Sequence, residues 1–263
     1  MKTISFVIPV YNEEKRLHKT FSALESFIAP EALRLQEVIF VNDGSNDNTK
    51  SIIQSSKLKI EKKLKARIKI VSYSKNQGKG YAVKQGMLAS NSDYTLFFDA
   101  DMSTPLSELK KFMPFIKEGT DVIIGTRKNG KSTVLIHQPK LREFLGKGFT
   151  LLTQKILRLS VSDFTCGFKA FSKNAKDQIF KKSIIKRWGY DAEIIFLAEK
   201  LNFSIAEKSV TWSNDNDTKV KIYKAIPETF MELFLIYWKH EIKPFMLFIF
   251  KNFNIINRYR LSI

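Results

Sequence analysis

The sequence predicts an α/β domain, with a mostly parallel sheet flanked by helices and an amphipathic helical appendage at its C-terminal end. Three observations predict it. Short apolar runs alternate with helical patterns from the N-terminus to about residue 130. The runs are continuously apolar, as strands covered on both faces are, rather than alternating. Turn residues gather where each run stops.

Taken in order, Ile4–Val10 reads as a buried strand that stops at Tyr11-Asn12-Glu13, with a helix expected from about Glu14 to Phe27. Glu37–Val41 is the second strand, ending in Asn42-Asp43-Gly44-Ser45, and a short helix is expected after Asn46-Asp47-Asn48. Arg67–Tyr73 is the third strand, and a helix starts near Lys79. Tyr94–Phe98 and Asp121–Gly125 are the fourth and fifth. Regularity then breaks: a polar segment over Lys128–Pro139 precedes a helical pattern from Leu141 to about Leu159. Ser162–Phe171 reads as an irregular strand or loop, Gly189–Leu201 as a helix and Phe203–Val210 as a strand. From Ile226 the chain is aromatic and amphipathic, and a helical tail broken at Pro244 is expected. The simplest division is one domain over 1–225 and an appendage over 226–263.

Composition narrows the function classes. With 263 residues and 44% hydrophobic content, a sizeable core is available. The 44 basic residues exceed the 26 acidic ones, for a net charge of +18, so polyanions are the expected partners: nucleic acid, anionic lipid or phosphorylated substrates. The single cysteine, Cys166, and three scattered histidines (His18, His137, His240) exclude a zinc cluster. A catalytic metal would therefore be held by oxygen, which favours Mg²⁺ or Mn²⁺. Met1 leads straight into a strand and no apolar run reaches the ~20 residues of a membrane span. A cytoplasmic chain is expected.

In parallel sheets, ligands bind beyond the carboxyl ends of the strands, so those ends carry the candidate chemistry. The first two, Pro9–Glu13 and Asp43–Thr49, are also what turns and helix caps look like. Asp99-Ala100-Asp101 after Leu96-Phe97-Phe98 is more informative. In an extended chain residues i and i+2 point the same way, and two carboxylates held together are costly without a cation between them. The Asn76-Gln77-Gly78-Lys79-Gly80 turn suits an anion at a helix start. It is neither a P-loop nor a dinucleotide fingerprint: Tyr73 stands where the P-loop's first glycine would be, and Val83 where the fingerprint needs its third glycine.

Together PVYNE, NDGSNDNT, NQGKGYA, DAD and GTR (Gly125-Thr126-Arg127), in this order, resemble the family 2 glycosyltransferases of the GT-A, Rossmann-like fold. Asp163–Lys169 (DFTCGFK) and Arg187–Glu193 (RWGYDAE) are similar to the polyprenyl-phosphate hexose synthases, the dolichyl-phosphate β-glucosyltransferases first and the mannose synthases next. The resemblance covers about residues 3–215. It implies that Pro9, Tyr11 and Glu13 border the base and ribose and that Asp43 bonds the base. It also implies that Asp99 touches ribose or metal, that Asp101 ligates the metal, and that Lys79 and Arg127 lie near phosphate. Arg142 is a candidate for the acceptor phosphate, and Asp163–Lys169 would line the sugar and acceptor side, supported by Asp191 and Glu193. Two departures stand out. Ser103 occupies the place where mannose synthases often carry Gln, and the N-terminal anchor of the eukaryotic glucosyltransferases is not expected here.

The implied reaction is an inverting displacement from a nucleotide sugar, with UDP-glucose ahead of GDP-mannose, onto a polyprenyl phosphate at the cytoplasmic face of a membrane. A phosphomonoester acceptor is already ionised above pH ~6 and needs no strong base. A saccharide acceptor would need one, for which Asp163 is the candidate. Cys166 reads as packing. The basic runs Lys57–Lys69 and Lys173–Arg187 fit an anionic membrane surface, as does the tail with Phe230, Leu233, Phe234, Tyr237, Trp238, Phe245, Met246 and Phe248. Nucleic acid is not an expected partner, because the acidic pair would repel it and no recognition motif accompanies the charge. Oligomeric state is not legible.

Overall fold

The structure, a computed structural model, describes residues 1–128, 132–136, 140–214 and 222–246; the side chains of 140–143 and 222–227 lie outside that description. In chain order the elements are β1 (Lys2–Val10), α1 (Leu17–Glu25), β2 (Leu33–Asp43), α2 (Thr49–Leu64), β3 (Arg67–Tyr73), α3 (Lys79–Ala89) and β4 (Tyr94–Phe98). A 3₁₀ segment (Leu106–Phe112) leads into α4 (Met113–Glu118), then β5 (Val122–Thr126), β6 (Thr133–Ile136), α5 (Lys140–Leu157), β7 (Phe168–Ser172) and α6 (Lys173–Lys182). The described chain closes with α7 (Tyr190–Lys200), β8 (Ile205–Ser209), β9 (Thr211–Ser213) and α8 (Ile222–Tyr237), which a π-helical turn over Trp238–Ile242 extends.

Seven strands form the main sheet in the order β3-β2-β1-β4-β7-β5-β8, and β6 pairs with β9 beside it. Within the main sheet, β1 runs parallel to β2 and β4, β2 to β3 and β5 to β8, while β7 runs antiparallel between β4 and β5. The reversal of β7 brings the start of that strand to the edge where β1, β2, β4 and β5 end. The apolar runs divide by the two-residue period of a strand. Ile4, Phe6 and Ile8 enter one core with Leu17, Leu24, Ile53 and Ile60 from α1 and α2. Val7 enters the other with α3, α6 and α7.

Three expectations need correction. The first helix starts at Leu17 rather than Glu14. Asn12 sits at φ 53° and the Glu13 carbonyl accepts the N–H groups of Arg16 and Leu17, at 2.9 and 3.0 Å, so Glu14–Arg16 form a turn. The helix after Asn48 is long rather than short, running 16 residues because Ile53 and Ile60 keep one buried seam. It stops where Lys65 turns left-handed at φ 52°.

The third concerns the tail, which stays helical through Pro244 to Met246. A proline cannot donate to the carbonyl four residues earlier, here that of His240. Lys200 Nζ donates to that carbonyl instead, at 2.5 Å, and the π-helical turn takes up the irregularity just before the proline. The expected boundary at 225/226 falls inside α8, whose Leu233 and Ile236 are buried in the second core. His137 and Phe248 lie outside the described residues.

Candidate active site

The carboxyl edge of the sheet holds three groups of side chains. At the ends of β1 and β2, two loops are stitched together: Asn12 N–H donates to Ser45 Oγ at 2.9 Å, Asn46 N–H to Asn12 Oδ1 at 2.8 Å, and Glu13 N–H to Thr49 Oγ1 at 2.7 Å. Pro9 is the last residue but one of β1, Tyr11 is exposed just past its end, and the Glu13 carboxylate is held by Arg16 at 2.5 Å. Asp43 is buried and accepts from Gln77 N–H at 2.7 Å, Gly78 N–H at 2.9 Å and Asn76 Nδ2 at 2.8 Å. That carboxylate fastens the 76–78 turn, which depends on glycine because Gly78 adopts φ 107°.

The second group lies at the end of β4. Asp99 pairs with Lys79 at 2.6 Å, so the helix start after the glycine turn reaches the acidic pair. Asp101 accepts from Ser103 N–H at 2.9 Å. Burial and then the charge of Asp99 push the Asp101 carboxyl above its ordinary range. Gly167 packs directly on Asp99, and a Cβ there would collide with the carboxylate. Two oxygen donors in a desolvated loop suit a hard divalent cation whose remaining ligands come from a diphosphate and water. Among the described residues no third His, Cys, Asp or Glu completes a protein-only cage.

The third group forms where β5, β7 and the start of α7 meet. Lys169, fully buried on β7, pairs with Asp191 of α7 and lies 5.1 Å from the centre of the Phe97 ring. Arg127 donates through Nε and Nη2 to the two oxygens of Asp163, at 2.8 and 2.9 Å, and through Nη2 to Thr165 Oγ1 at 2.7 Å. Its guanidinium lies 5.2 Å from the Trp212 ring centre. Phe98, Asp99, Ser103, Thr104, Gly167 and Trp212 line one cleft.

Two of the expected roles change. Asp163 is unsuited to be a general base. Its burial would raise the carboxyl, but the charge and hydrogen bonds of Arg127 outweigh it and hold the group well below the usual carboxylate range. Its partners are Arg127, Thr165 and, at 3.7 Å, Lys128, so it orients Arg127 and not Lys169. Glu193 does not line the cleft. It is fully buried, accepts from the N–H groups of Ile184 and Ile185 at 2.9 and 2.8 Å, and meets His240 Nε2 at 2.8 Å. The Cys166 thiol, pushed up to about 11 by burial, matches the packing role.

Arg142 belongs to α5, and its side chain lies outside the described residues. Trp212 and Thr104 are site residues that the sequence reading missed. Gly167 was legible through its motif, whereas a lone Trp on a three-residue strand carries no local signal.

A mostly parallel sheet whose carboxyl edge gathers a carboxylate pair, lysines and a clamped arginine is the architecture of GT-A glycosyltransferases. The chain belongs to glycosyl transferase family 2, whose family profile matches residues 5–180. It is 33% identical over 227 residues to a dolichyl-phosphate beta-glucosyltransferase of Trichomonas vaginalis, covering 83% of this chain and 66% of the relative. It is 31% identical over 226 residues to the dolichyl-phosphate beta-glucosyltransferase of Dictyostelium discoideum, covering 82% and 68%. The chain thus spans about two-thirds of the length of these relatives.

Among solved structures, glucosyl-3-phosphoglycerate synthase from Mycobacterium tuberculosis, in complex with Mn²⁺, UDP and glucosyl-3-phosphoglycerate, superposes with a TM-score of 0.62 at 18% identity, over 90% of this chain and 79% of that one. A mannosyltransferase from Pyrobaculum calidifontis, in complex with GDP-Man and Mn²⁺, superposes with a TM-score of 0.60 at 14% identity, over 91% and 64%.

Proposed function

We propose that this chain transfers a hexose, glucose before mannose, from a nucleotide sugar, UDP-glucose first, to a dolichyl or other polyprenyl phosphate, inverting the anomeric centre. The observation that carries the reading is that Asp101 and the Asp99–Lys79 pair past β4 and the Asp163-clamped Arg127 past β5 share the carboxyl edge of the sheet, in a chain similar to two dolichyl-phosphate beta-glucosyltransferases. The residues up to 225 carry the chemistry, and α8, which crosses that boundary and is anchored in the second core by Leu233 and Ile236, lies at the surface where the lipid acceptor resides. That surface is the cytoplasmic face of a membrane.

In this reading Asp101, with Asp99, holds a divalent cation, Mg²⁺ or Mn²⁺, whose charge supplies stabilisation of the departing nucleoside diphosphate. Lys79, at the start of α3, adds positive charge on the same side. Pro9, Tyr11 and Glu13 border the base and ribose, and Asp43 bonds the base while also fixing the 76–78 turn. Arg127 has its Nε and Nη2 edge occupied by Asp163 and Thr165, which leaves its Nη1 edge to meet a phosphate. The acceptor's phosphate oxygen is already ionised and attacks the anomeric carbon as the diphosphate leaves, so no protein base is required. Lys169 and Asp191, paired behind the cleft, keep β7 and α7 in register on the sugar side, and Arg142 adds charge for the acceptor.

The test offers labelled UDP-glucose or GDP-mannose with either polyprenyl phosphate or free saccharides, in the presence of Mn²⁺. Glucosyl transfer into the lipid fraction is expected. Label appearing only in soluble saccharide would overturn the acceptor, and preferred use of GDP-mannose would overturn the donor.

A further inference from the structure

Lys79 sits between two glycines, and both make room for chain packed against the turn. A Cβ on Gly78 would come within 2.5 Å of the Lys186 carbonyl oxygen, and one on Gly80 within 2.8 Å of the Ile185 oxygen and 2.6 Å of Tyr190 Cβ. The segment over 183–189, which joins α6 to α7, thus lies directly against the start of α3. It also caps that helix. Gly78 offers no side chain at the N-cap, and the Tyr81 N–H, one of the amides that a helix start leaves unpaired, donates to the Lys186 carbonyl at 2.9 Å. The Lys186 side chain grips the turn as well, with Nζ 5.5 Å from the Tyr81 ring centre and 3.3 Å from Gln77 Oε1.

Carboxylates tie the same segment to the C-terminal helix. Glu232 of α8 accepts from the Gly189 N–H at 2.7 Å, and Glu228 pairs with Arg187 at 3.0 Å. A Cβ on Gly189 would come within 3.0 Å of Glu232 Cβ, so the helix rests on the segment by contact too. Glu193 holds the other end, through the N–H groups of Ile184 and Ile185, and meets His240 of the π-helical turn. Residues 183–189 form neither helix nor strand, so their position depends on these tertiary bonds. Where the acids place them decides where the Ile185 and Lys186 carbonyls meet the glycine turn.

We propose that Glu232 is a positioning residue for Lys79: acting through the 183–189 segment, it fixes the glycine turn and couples α8 to the diphosphate side of the donor site. The inference rests on the reading above that puts Lys79 on that side. Lys79 also pairs with Asp99 at 2.6 Å, so a shift of the turn reaches the acidic pair. Such coupling is reciprocal. A donor that holds the turn must also hold α8.

The test compares Glu232→Ala and Glu232→Gln with a control on the same tail, Glu241→Ala, whose partner Lys200 lies outside the segment. Calorimetric titration of the full chain with UDP and Mn²⁺ reads donor-side affinity without turnover. Glu232→Ala should weaken UDP roughly fivefold to tenfold. Glu232→Gln, whose amide oxygen can still accept from the Gly189 N–H, should recover most of that, and Glu241→Ala should bind as the wild type does. In transfer assays the Glu232→Ala donor KM should rise in step, with acceptor KM held within about twofold. Hydrogen exchange reads the reverse direction: UDP with Mn²⁺ should slow exchange over 228–242 in the wild type and not in Glu232→Ala. Unchanged UDP affinity in Glu232→Ala, or an equal loss in Glu241→Ala, would overturn the inference alone. Wild-type protein that binds no UDP would overturn the donor reading and the inference with it.

Discussion

Arg127 and Asp163 meet in a two-point ion pair, Nε and Nη2 of one against both carboxylate oxygens of the other, with Asp163 wholly buried. The guanidinium fork meets the carboxylate at two points, and Trp212 covers the guanidinium from one side. The residue that stood as the candidate base for a saccharide acceptor is therefore the anchor of a cation.

Asp163→Asn keeps the shape and removes the charge. Leaving a buried guanidinium without its counterion should cost about 3–5 kcal/mol, read from urea unfolding at neutral pH. The acid dependence follows from the direction of the shift. The folded-state carboxyl lies below its unfolded value of about 3.9, so its contribution is complete above that pH and is lost as pH falls. Wild-type stability should drop more steeply below pH ~4 than that of Asp163→Asn. Parallel curves would refute the assignment.

Asp101→Asn separates function from stability. Burial and Asp99 make the ionised carboxylate unfavourable in the fold, so the amide should leave the melting temperature unchanged or raise it. Transfer should fall by at least ~10²-fold, and a chelator should reproduce that loss in the wild type, with Mn²⁺ restoring it. Undiminished transfer in the variant would remove the metal from the proposal.

Gly167→Ala puts a methyl group against the Asp99 carboxylate. Asp99 would have to swing away from Lys79, so donor KM should rise roughly tenfold or more while far-UV circular dichroism stays native. A kinetically silent variant would show that the packing of Asp99 on this glycine does not matter to donor binding.

Glu193→Gln tests the tail. Glu193 ties Ile184 and Ile185 to His240, and a neutral amide would keep the shape but weaken those charge-assisted contacts by about 1–3 kcal/mol. Hydrogen exchange should quicken over 228–246 and 183–186 before it does in the sheet. Uniform protection would mean that the C-terminal helix is held by Leu233 and Ile236 alone.

Trp212→Ala should raise acceptor KM several-fold and donor KM less, since the ring lies against Arg127 and also lines the cleft beside Asp99. Trp212→Phe should recover most of the loss. Equal defects with both substrates would make Trp212 a general packing residue.

Much of this was legible because it is local. Arg67–Tyr73 and Tyr94–Phe98 were read to the residue, since the first sets Ile68, Ile70 and Val71 among polar residues, the second is a compact apolar run, and both are closed by turn chemistry. Asp99 and Asp101 come together as expected, but not through the two-residue period of an extended chain: β4 ends at Phe98, and Met102 N–H donates to the Asp99 carbonyl at 3.2 Å, so the pair sits in a turn. The late start of α1 at Leu17 was not legible: it depends on Asn12 and Glu13 being held by Ser45 and Thr49, residues more than thirty positions away.

The order of amino acids alone determined the strand–helix alternation, the acidic pair at a strand end and the family, because each depends on neighbours within a few positions or on motifs in series. The tertiary structure alone decided the partners. β7 runs against its neighbours, and that reversal delivers Asp163 to Arg127, Gly167 to Asp99 and Lys169 to Asp191. Buried charges are tolerated only where the fold supplies a counter-charge, and which one it supplies depends on distances between strands that no local pattern encodes.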